Sequence, residues 1–127
     1  MTACAQLAAA TCAKIEACVK GGVVHRYGDA ATCEARQTAA CVVSLGANAT
    51  GNMPETVTTC ATTLPQSTCA EYEAAEVAVC APQAGTRAAG ATCTYSAQCA
   101  TSFCAIALGT NCGVCAAATA EIGYLSG

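Results

Sequence analysis

The sequence contains one CxxC motif, formed by Cys112 and Cys115 in the stretch Cys-Gly-Val-Cys. This spacing is typical of thiol oxidoreductases, in which a helix N-terminus lowers the pKa of one thiol. Such enzymes place the motif in a βαβ unit, and the sequence shows neither that pattern nor a Trp or Pro beside the motif. We therefore expect a structural role for this pair, and a thiol–disulfide redox protein is the third-ranked function.

Metal binding and acid–base catalysis have weaker support in the sequence. Zinc sites need several Cys or His pairs, whereas the chain has one CxxC and one histidine, His25. Glu71, Glu73 and Glu76 share one predicted helix, whereas the two carboxylates of a glycosidase flank a cleft. We expect no metal site, no cofactor and no enzymatic activity.

Two short motifs could direct a covalent modification. Cys4 follows Thr-Ala and weakly resembles a lipidation site, but it lies on the apolar face of a predicted helix, which favours a disulfide. Asn48-Ala-Thr50 matches the N-glycosylation sequon and falls in a predicted turn, and its use depends on the host.

The composition indicates how the chain is held together. Of 127 residues, 13 are Cys and 32 are Ala, whereas five basic and eight acidic side chains give a net charge of −3. So few Lys and Arg exclude a polyanion-binding patch, and one Phe, four Tyr and no Trp argue against stacking platforms for single-stranded nucleic acid. Because buried Ala contributes little, disulfides must offset the chain entropy, which requires an oxidising compartment.

The low charge density also bears on what the surface does. Charged side chains are 10 % of the chain, well below the roughly 25–35 % expected on a soluble surface. An exterior of Ala, Thr and Val favours packing against copies of the chain or an extracellular matrix. The alternative explanation is a high-GC genome, which enriches Ala and Thr without a functional role. No run of about 18 apolar residues indicates a transmembrane segment, and residues 1–10 lack the features of a signal sequence. We expect a removed signal sequence and an extracellular or cell-surface location.

Hydrophobic periodicity and capping residues predict about four helices in the first two thirds of the chain. The first spans Ala3–Lys20 behind a Thr2 N-cap, and a turn at 21–28 leads to a second helix from Asp29 to Leu45. The third starts at Asn52 with Glu55 completing its cap, and the fourth runs from a Thr68 capping box to Cys80.

The helical cysteines suggest pairs across a hairpin. In an antiparallel hairpin, the residue numbers of paired positions have a nearly constant sum, which favours Cys12 with Cys41 and Cys18 with Cys33. Residues 4–80 hold an even number of cysteines and can close as a set, the other disulfide candidates there being Cys4, Cys60, Cys69 and Cys80.

The spacing changes after residues 82–92, which are predicted to be a linker or an extended connection. Beyond them lies a loop-rich, knot-like module with a short hairpin around residues 103–112. Its disulfide candidates are Cys93, Cys99, Cys104 and Cys112, and Cys115 is the candidate odd thiol. The predicted fold class is thus mainly α, with a disulfide-linked helical domain at 1–81 and a small cysteine-rich module at 82–127.

The cysteine spacing resembles known proteins. The stretch from Gly90 through Phe103-Cys104 to Asn111-Cys-Gly-Val-Cys115 resembles the Dickkopf- and colipase-like cysteine-rich module. The helical half, with Tyr27-Gly-Asp29 before Cys33 and Cys41, resembles cysteine-rich exported proteins and lipoproteins of myxobacteria and their relatives. The resemblance implies export and disulfides, and no established activity.

The leading expectation is a secreted, non-enzymatic, self-associating structural protein of a surface, matrix or filament. The expected partners are copies of itself or other extracellular proteins, with an intermolecular disulfide from the odd thiol, and no nucleic acid. The alternative is a monomeric module that binds a protein or ligand through its C-terminal region.

Overall fold

Residues 2–117 and 124–126 are described by a computed structural model, in which the chain divides into two units. The first unit comprises Met1–Val43 and Met53–Ala81, and the second comprises Ser44–Asn52 and Pro82–Gly127. The longer segment of the second unit starts at residue 82, where the predicted cysteine-rich module also starts. The unit also includes residues 44–52, which the predicted helical domain contains. Backbone hydrogen bonds explain this grouping, because Gly51 N donates to Ala97 O at 2.8 Å and Thr86 N donates to Ala49 O at 3.1 Å.

The first unit is helical. Its α-helices are α1 (Ala3–Cys18), α2 (Gly22–Tyr27), α3 (Ala30–Leu45, whose last residues fall in the second unit), α4 (Pro54–Thr63) and α5 (Cys69–Glu73). Short 3₁₀ turns follow at Leu64–Gln66 and Ala78–Cys80. With the small sheet described below, this confirms the prediction of a mainly α fold at that coarse level. None of the helices in the part of the chain that the structure describes is long and apolar enough to span a membrane.

Helix α1 begins as predicted, and α2 is a helix where a turn was predicted. The Thr2 hydroxyl accepts a hydrogen bond from Ala5 N at 3.1 Å, which caps α1. The Glu16 carboxylate accepts hydrogen bonds from Gly21 N at 2.8 Å and Val23 N at 3.3 Å. A side chain of the preceding helix thus satisfies the free N–H groups at the start of α2, and this contact is not visible as a local sequence pattern.

Helix α3 has the predicted N-cap, whereas α4 begins later than predicted. Asp29 Oδ1 accepts from Thr32 N at 2.7 Å, so Asp29 caps α3 as predicted. The predicted Asn52 cap of α4 is wrong, because α4 begins at Pro54 and Met53 is the N-cap, without a side-chain hydrogen bond. Asn52 Oδ1 instead accepts from Gln83 N at 3.1 Å.

Helix α5 has the predicted capping box but ends much earlier than predicted. The Thr68 hydroxyl accepts from Glu71 N, and the Glu71 carboxylate accepts from Thr68 N. Ala75 then adopts a left-handed φ of 57°, while Ala75 N donates to Tyr72 O and Glu76 N donates to Glu71 O. These two bonds form a Schellman C-cap, which usually needs Gly at the left-handed position, so the sequence carried no stop signal there.

The second unit contains a four-stranded antiparallel sheet. Its strands are β1 (Thr92–Cys93), β2 (Cys104–Ala107), β3 (Gly113–Cys115) and β4 (Tyr124–Ser126), in the order β1-β3-β2-β4. Strands β2 and β3 form the hairpin, with Cys104 opposite Cys115. The hairpin thus extends three residues further along the chain than the predicted 103–112.

Residues 82–92 belong to the second unit as an extended connection, which is the second of the two predicted alternatives, and they are not a free linker. Gly85 N donates to Cys99 O and Arg87 N donates to Gln98 O, each at 2.9 Å. Gly90 N donates to Cys115 O at 2.8 Å. The Gly- and Ala-rich composition that predicted a linker lets this extended segment approach the neighbouring backbone closely.

Each unit has its own small core. In the first unit, Cys12, Ile15, Val23 and Cys33 form one buried cluster, against which Tyr27 and Tyr72 pack. In the second, the cluster consists of Cys93, Cys99, Cys104 and Cys115, with Ile106 packed against it.

Candidate functional site

Four disulfides close the helical unit on itself, which is the closure that its even number of cysteines predicts. They are Cys4–Cys41, Cys12–Cys33, Cys18–Cys69 and Cys60–Cys80. The predicted pairs Cys12–Cys41 and Cys18–Cys33 are therefore wrong.

The error lies in the register of the helical hairpin. The two bonds between α1 and α3 do keep a constant sum of residue numbers, as antiparallel helices require, but the sum is smaller than predicted. The connection between these helices contains α2 and is not a tight turn. Each of the two cysteines of α3 bonds to a cysteine of α1 that lies nearer the N-terminus than the predicted partner. Cys18 lies beyond the hairpin pairs and bonds to Cys69 at the start of α5.

In the second unit, two disulfides are packed side by side. Cys93 is bonded to Cys104 and Cys99 to Cys115, and the sulfur atoms of Cys93, Cys99 and Cys115 lie within 4.8 Å of one another. All four residues are buried. Because these sulfurs are bonded to each other in pairs, the cluster offers no thiolates to a metal ion in this oxidised state.

The odd thiol is Cys112, so the assignment of Cys115 as the odd thiol and of Cys112 as a disulfide candidate is wrong. Cys115 lies in β3 with 1 % of its surface exposed, where it reaches Cys99. Cys112 precedes β3, is exposed and is free. A CxxC redox pair requires a bond between its own two cysteines, and this arrangement does not contain it.

Large aliphatic side chains are exposed on both sides of Cys112 in the chain. Leu108, which follows β2, is 66 % exposed, and Val114 in β3 is 44 % exposed. The loop between them is held by the Thr110 hydroxyl, which donates to Ala107 O at 2.8 Å and to Cys112 O at 3.2 Å. Within seven residues of the β2–β3 hairpin, the chain therefore exposes one free thiol and two large aliphatic side chains, and we call these residues the hairpin surface (Leu108, Cys112 and Val114).

The candidate modification and acid–base residues predicted from the sequence are not part of the hairpin surface, and each has a different environment. Cys4 is buried in its disulfide with Cys41, which leaves no free thiol for a lipid. Asn48 of the sequon is exposed. Glu71 serves the α5 capping box, and the hydrogen bond from the Thr68 backbone holds the pKa of this carboxyl below its usual range.

A concave site in the helical unit was not anticipated from the sequence. A cavity of about 380 Å³ is lined by basic and apolar side chains from α1, α2 and α5, and we call it the basic cavity (Ile15, Cys18, Val19, Lys20, Gly21, Gly22, His25, Arg26, Tyr72 and Glu73). Burial raises the pKa of the Tyr72 hydroxyl, and the positive charge of Arg26 partly opposes this rise. The closeness of Lys20, His25 and Arg26 in the chain was the available signal, whereas Tyr72 gave none.

A second cavity of about 400 Å³ in the same unit has the opposite charge. We call it the acidic cavity, and its lining contains no basic residue (Ala9, Cys12, Ala13, Glu16, Val23, Val24, Ala30 and Glu34). The two cavities thus have similar size and an apolar component, but differ in the sign of their charge.

Comparison of the chain with known protein families, with curated proteins and with solved structures finds no significant match.

Proposed function

We propose that this chain is an exported, non-enzymatic structural module that associates with copies of itself through the hairpin surface. Six disulfides supply the rigidity of such a module, and their formation requires an oxidising compartment outside the cytosol. The single observation that carries the proposal is the free, exposed thiol of Cys112, which lies in the chain between the exposed residues Leu108 and Val114.

The hairpin surface suits self-association for a physical reason. Burying exposed aliphatic side chains is favourable by about 25 cal/mol per Å² of apolar surface, although three residues alone give only a weak contact. In the oxidising compartment, one Cys112 thiol can form a mixed disulfide with a small-molecule disulfide, which releases one small thiol. The thiolate of a second Cys112 then displaces the other small thiol, and the resulting bond between the two chains would hold such a contact in place. The association is thus expected to be weak without the covalent bond and persistent with it.

Further exposed aliphatic residues in the helical unit extend the proposal from dimers to larger assemblies. Val19, Val24, Val42, Val43 and Met53 are each more than half exposed. A chain with apolar side chains exposed on both units can make contacts beyond a single two-fold pair. Filaments or a surface matrix are the forms of assembly that we propose.

The test is the oligomeric state of the purified, oxidised protein. Light scattering after gel filtration over a wide concentration range is expected to show association, and non-reducing gel electrophoresis is expected to show a band at twice the chain mass of 12.4 kDa. Cys112→Ser removes that band but leaves weak association. Leu108→Asn combined with Val114→Thr weakens both.

Ala100→Ser is the matched control, because Ala100 is exposed in the same unit and carries no large aliphatic group. A protein that is monomeric at every concentration, with no covalent dimer, would contradict the proposal. Such a monomer would favour the alternative, a binding module that uses the C-terminal region.

A further inference from the structure

We propose that the basic cavity of the helical unit binds a small carboxylate that carries an apolar body. This inference does not rest on self-association through the hairpin surface, whose residues lie in the other unit. Val19 is shared with the exposed aliphatic residues named above for larger assemblies.

Positive charge is concentrated in the lining of this cavity. The chain has five Lys and Arg residues and a net charge of −3, yet Lys20 and Arg26 both line this one cavity, with His25 beside them. Other basic side chains have different tasks: Lys14 donates to the Ser67 carbonyl, and Arg87 donates to Thr92 O at 3.0 Å. The cavity is therefore a positive site on a negatively charged protein, which attracts anions.

Part of the lining of the basic cavity is apolar. Ile15 is buried, Val19 is 54 % exposed, and Tyr72 packs against the core cluster that contains Ile15. A ligand that only carried charge would leave this wall in contact with water. An apolar body on the ligand would bury it, and the volume of about 380 Å³ lies within the range of small-molecule sites.

A disulfide joins two of the walls of the basic cavity. The Cys18–Cys69 disulfide joins the end of α1 to the start of α5, and both helices line the cavity. Glu16 also holds the start of α2 through its two backbone hydrogen bonds. A site whose walls are already ordered loses less entropy when a ligand binds.

The charge balance selects the class of anion. Glu73 also lines the cavity and repels a second negative charge, so a monoanion fits better than a doubly charged phosphate. The planar guanidinium of Arg26 can bind a carboxylate through two parallel hydrogen bonds.

The test is an NMR titration of the isotope-labelled, oxidised full chain with octanoate. Octanol, octylamine and acetate are the comparison probes, since each lacks either the negative charge or the long apolar body. Octanoate is expected to cause saturable shifts of the amide signals of residues 19–26 and 72–73. Its affinity is expected to exceed that of octanol by about fivefold, as for ion pairs at partly exposed groups.

Charge-neutralising variants decide whether the basic side chains are responsible. Arg26→Gln and Lys20→Gln are each expected to lower octanoate affinity by about twofold and to leave octanol binding unchanged. Arg36→Gln is the matched control, because Arg36 is exposed on α3 and does not line the cavity. If Arg26→Gln perturbs the fold, Lys20→Gln decides alone, because Lys20 is exposed just beyond the end of α1.

Several results would overturn the proposal. They are shifts that do not saturate, equal affinities for octanoate and octanol or for octanoate and acetate, or an octanoate response centred on the acidic cavity. Unchanged octanoate binding in both variants would also overturn it. Preferential binding of octylamine to the acidic cavity would support the role of charge, because that cavity contains Glu16 and Glu34 and no base.

Discussion

Cys112 and Cys115 are separated by two residues, yet they have opposite environments. Cys115 lies within β3, is almost fully buried and bonds to Cys99, whereas Cys112 lies before the strand and is exposed. Both strand geometry and the position of Cys99 contribute to this difference, and both are tertiary features. The two cysteines are therefore expected to respond differently to the same substitution.

We predict that Cys112→Ser leaves stability unchanged within about 0.5 kcal/mol, because it replaces an exposed, unbonded side chain. Cys115→Ser breaks a disulfide and leaves Cys99 unpaired in the core, with an expected cost of about 2–5 kcal/mol. Chemical denaturation of the oxidised variants measures both values. Thiol labelling of the monomer fraction with mass spectrometry should find one reactive cysteine in the unmodified chain and none in Cys112→Ser. Equal stability losses in the two variants would contradict the assignment of the free thiol.

Two helix-capping carboxylates couple stability to pH. The backbone N–H of Thr32 lowers the pKa of Asp29, and that of Thr68 lowers the pKa of Glu71. A carboxylate with a lowered pKa in the folded state stabilises the fold above its ordinary pKa, 3.8 for Asp29 and 4.5 for Glu71. That stabilisation is lost as the pH falls through the lowered values.

We predict that the melting temperature falls on acidification below the ordinary pKa values of Asp29 and Glu71, and that Asp29→Asn with Glu71→Gln reduces this fall. Asn and Gln keep the capping hydrogen bonds but cannot titrate. Thermal unfolding followed by circular dichroism between about pH 6 and about pH 2.5 measures the effect. Glu34→Gln is the control, because this exposed residue lies in α3 beyond its first turn. The same acid dependence in the double variant and the original chain would refute the prediction.

At the scale of elements, the second unit depends on close backbone approaches at glycine. A Cβ atom at Gly113 in β3 would lie 2.2 Å from Ala105 O and 2.8 Å from its carbonyl carbon in β2. A Cβ atom at Gly85 would lie 2.2 Å from Ala97 O. These neighbours are backbone atoms, so they cannot move aside as a flexible side chain can.

We predict that Gly113→Ala destabilises the second unit by about 1–3 kcal/mol, because the new methyl group forces β2 and β3 apart. Val114→Thr is the matched control, since this neighbouring side chain is exposed and a β-branched replacement suits a strand. Denaturant unfolding gives the free energies, and amide NMR shifts locate the change. An unchanged stability in Gly113→Ala would show that the strands can separate without cost.

At the scale of the whole molecule, sulfur replaces much of a conventional hydrophobic core. Among the residues whose burial the structure describes, the buried apolar set contains eight cysteines and four alanines, and its large aliphatic members are Ile15, Val23, Val57 and Leu64. All four aliphatic residues belong to the first unit, so the described core of the second unit consists of disulfides and small side chains. Burial of so little aliphatic surface cannot by itself offset the entropy of ordering the chain.

We therefore predict that full reduction and alkylation abolishes the cooperative unfolding transition and most of the helical circular dichroism at room temperature. Alkylation of the monomer fraction without reductant modifies Cys112 alone and serves as the control, for which the spectrum is expected to stay unchanged. A reduced chain that keeps its helical signal would show that packing suffices without the disulfides.

Local signals in the sequence predicted much of the helical unit but not its tertiary pairing. The Thr2, Asp29 and Thr68 caps act as predicted because each bonds to an N–H within three residues of itself. The α2 helix depends on Glu16, five to seven residues from its partners, and the end of α5 depends on a left-handed Ala75. Neither follows from intrinsic propensity.

The sequence alone indicated that this protein is mainly helical, rich in cysteine and poor in charge, because these properties follow from composition and local capping. It also determined that one thiol among residues 93–115 stays unpaired if residues 4–80 close as a set, because that follows from counting. Tertiary packing makes Cys112 the unpaired thiol and sets the register between α1 and α3. It also brings Lys20, Arg26 and Tyr72 together in the lining of one cavity. These outcomes depend on contacts between residues far apart in the chain, and such contacts are set by how the elements pack.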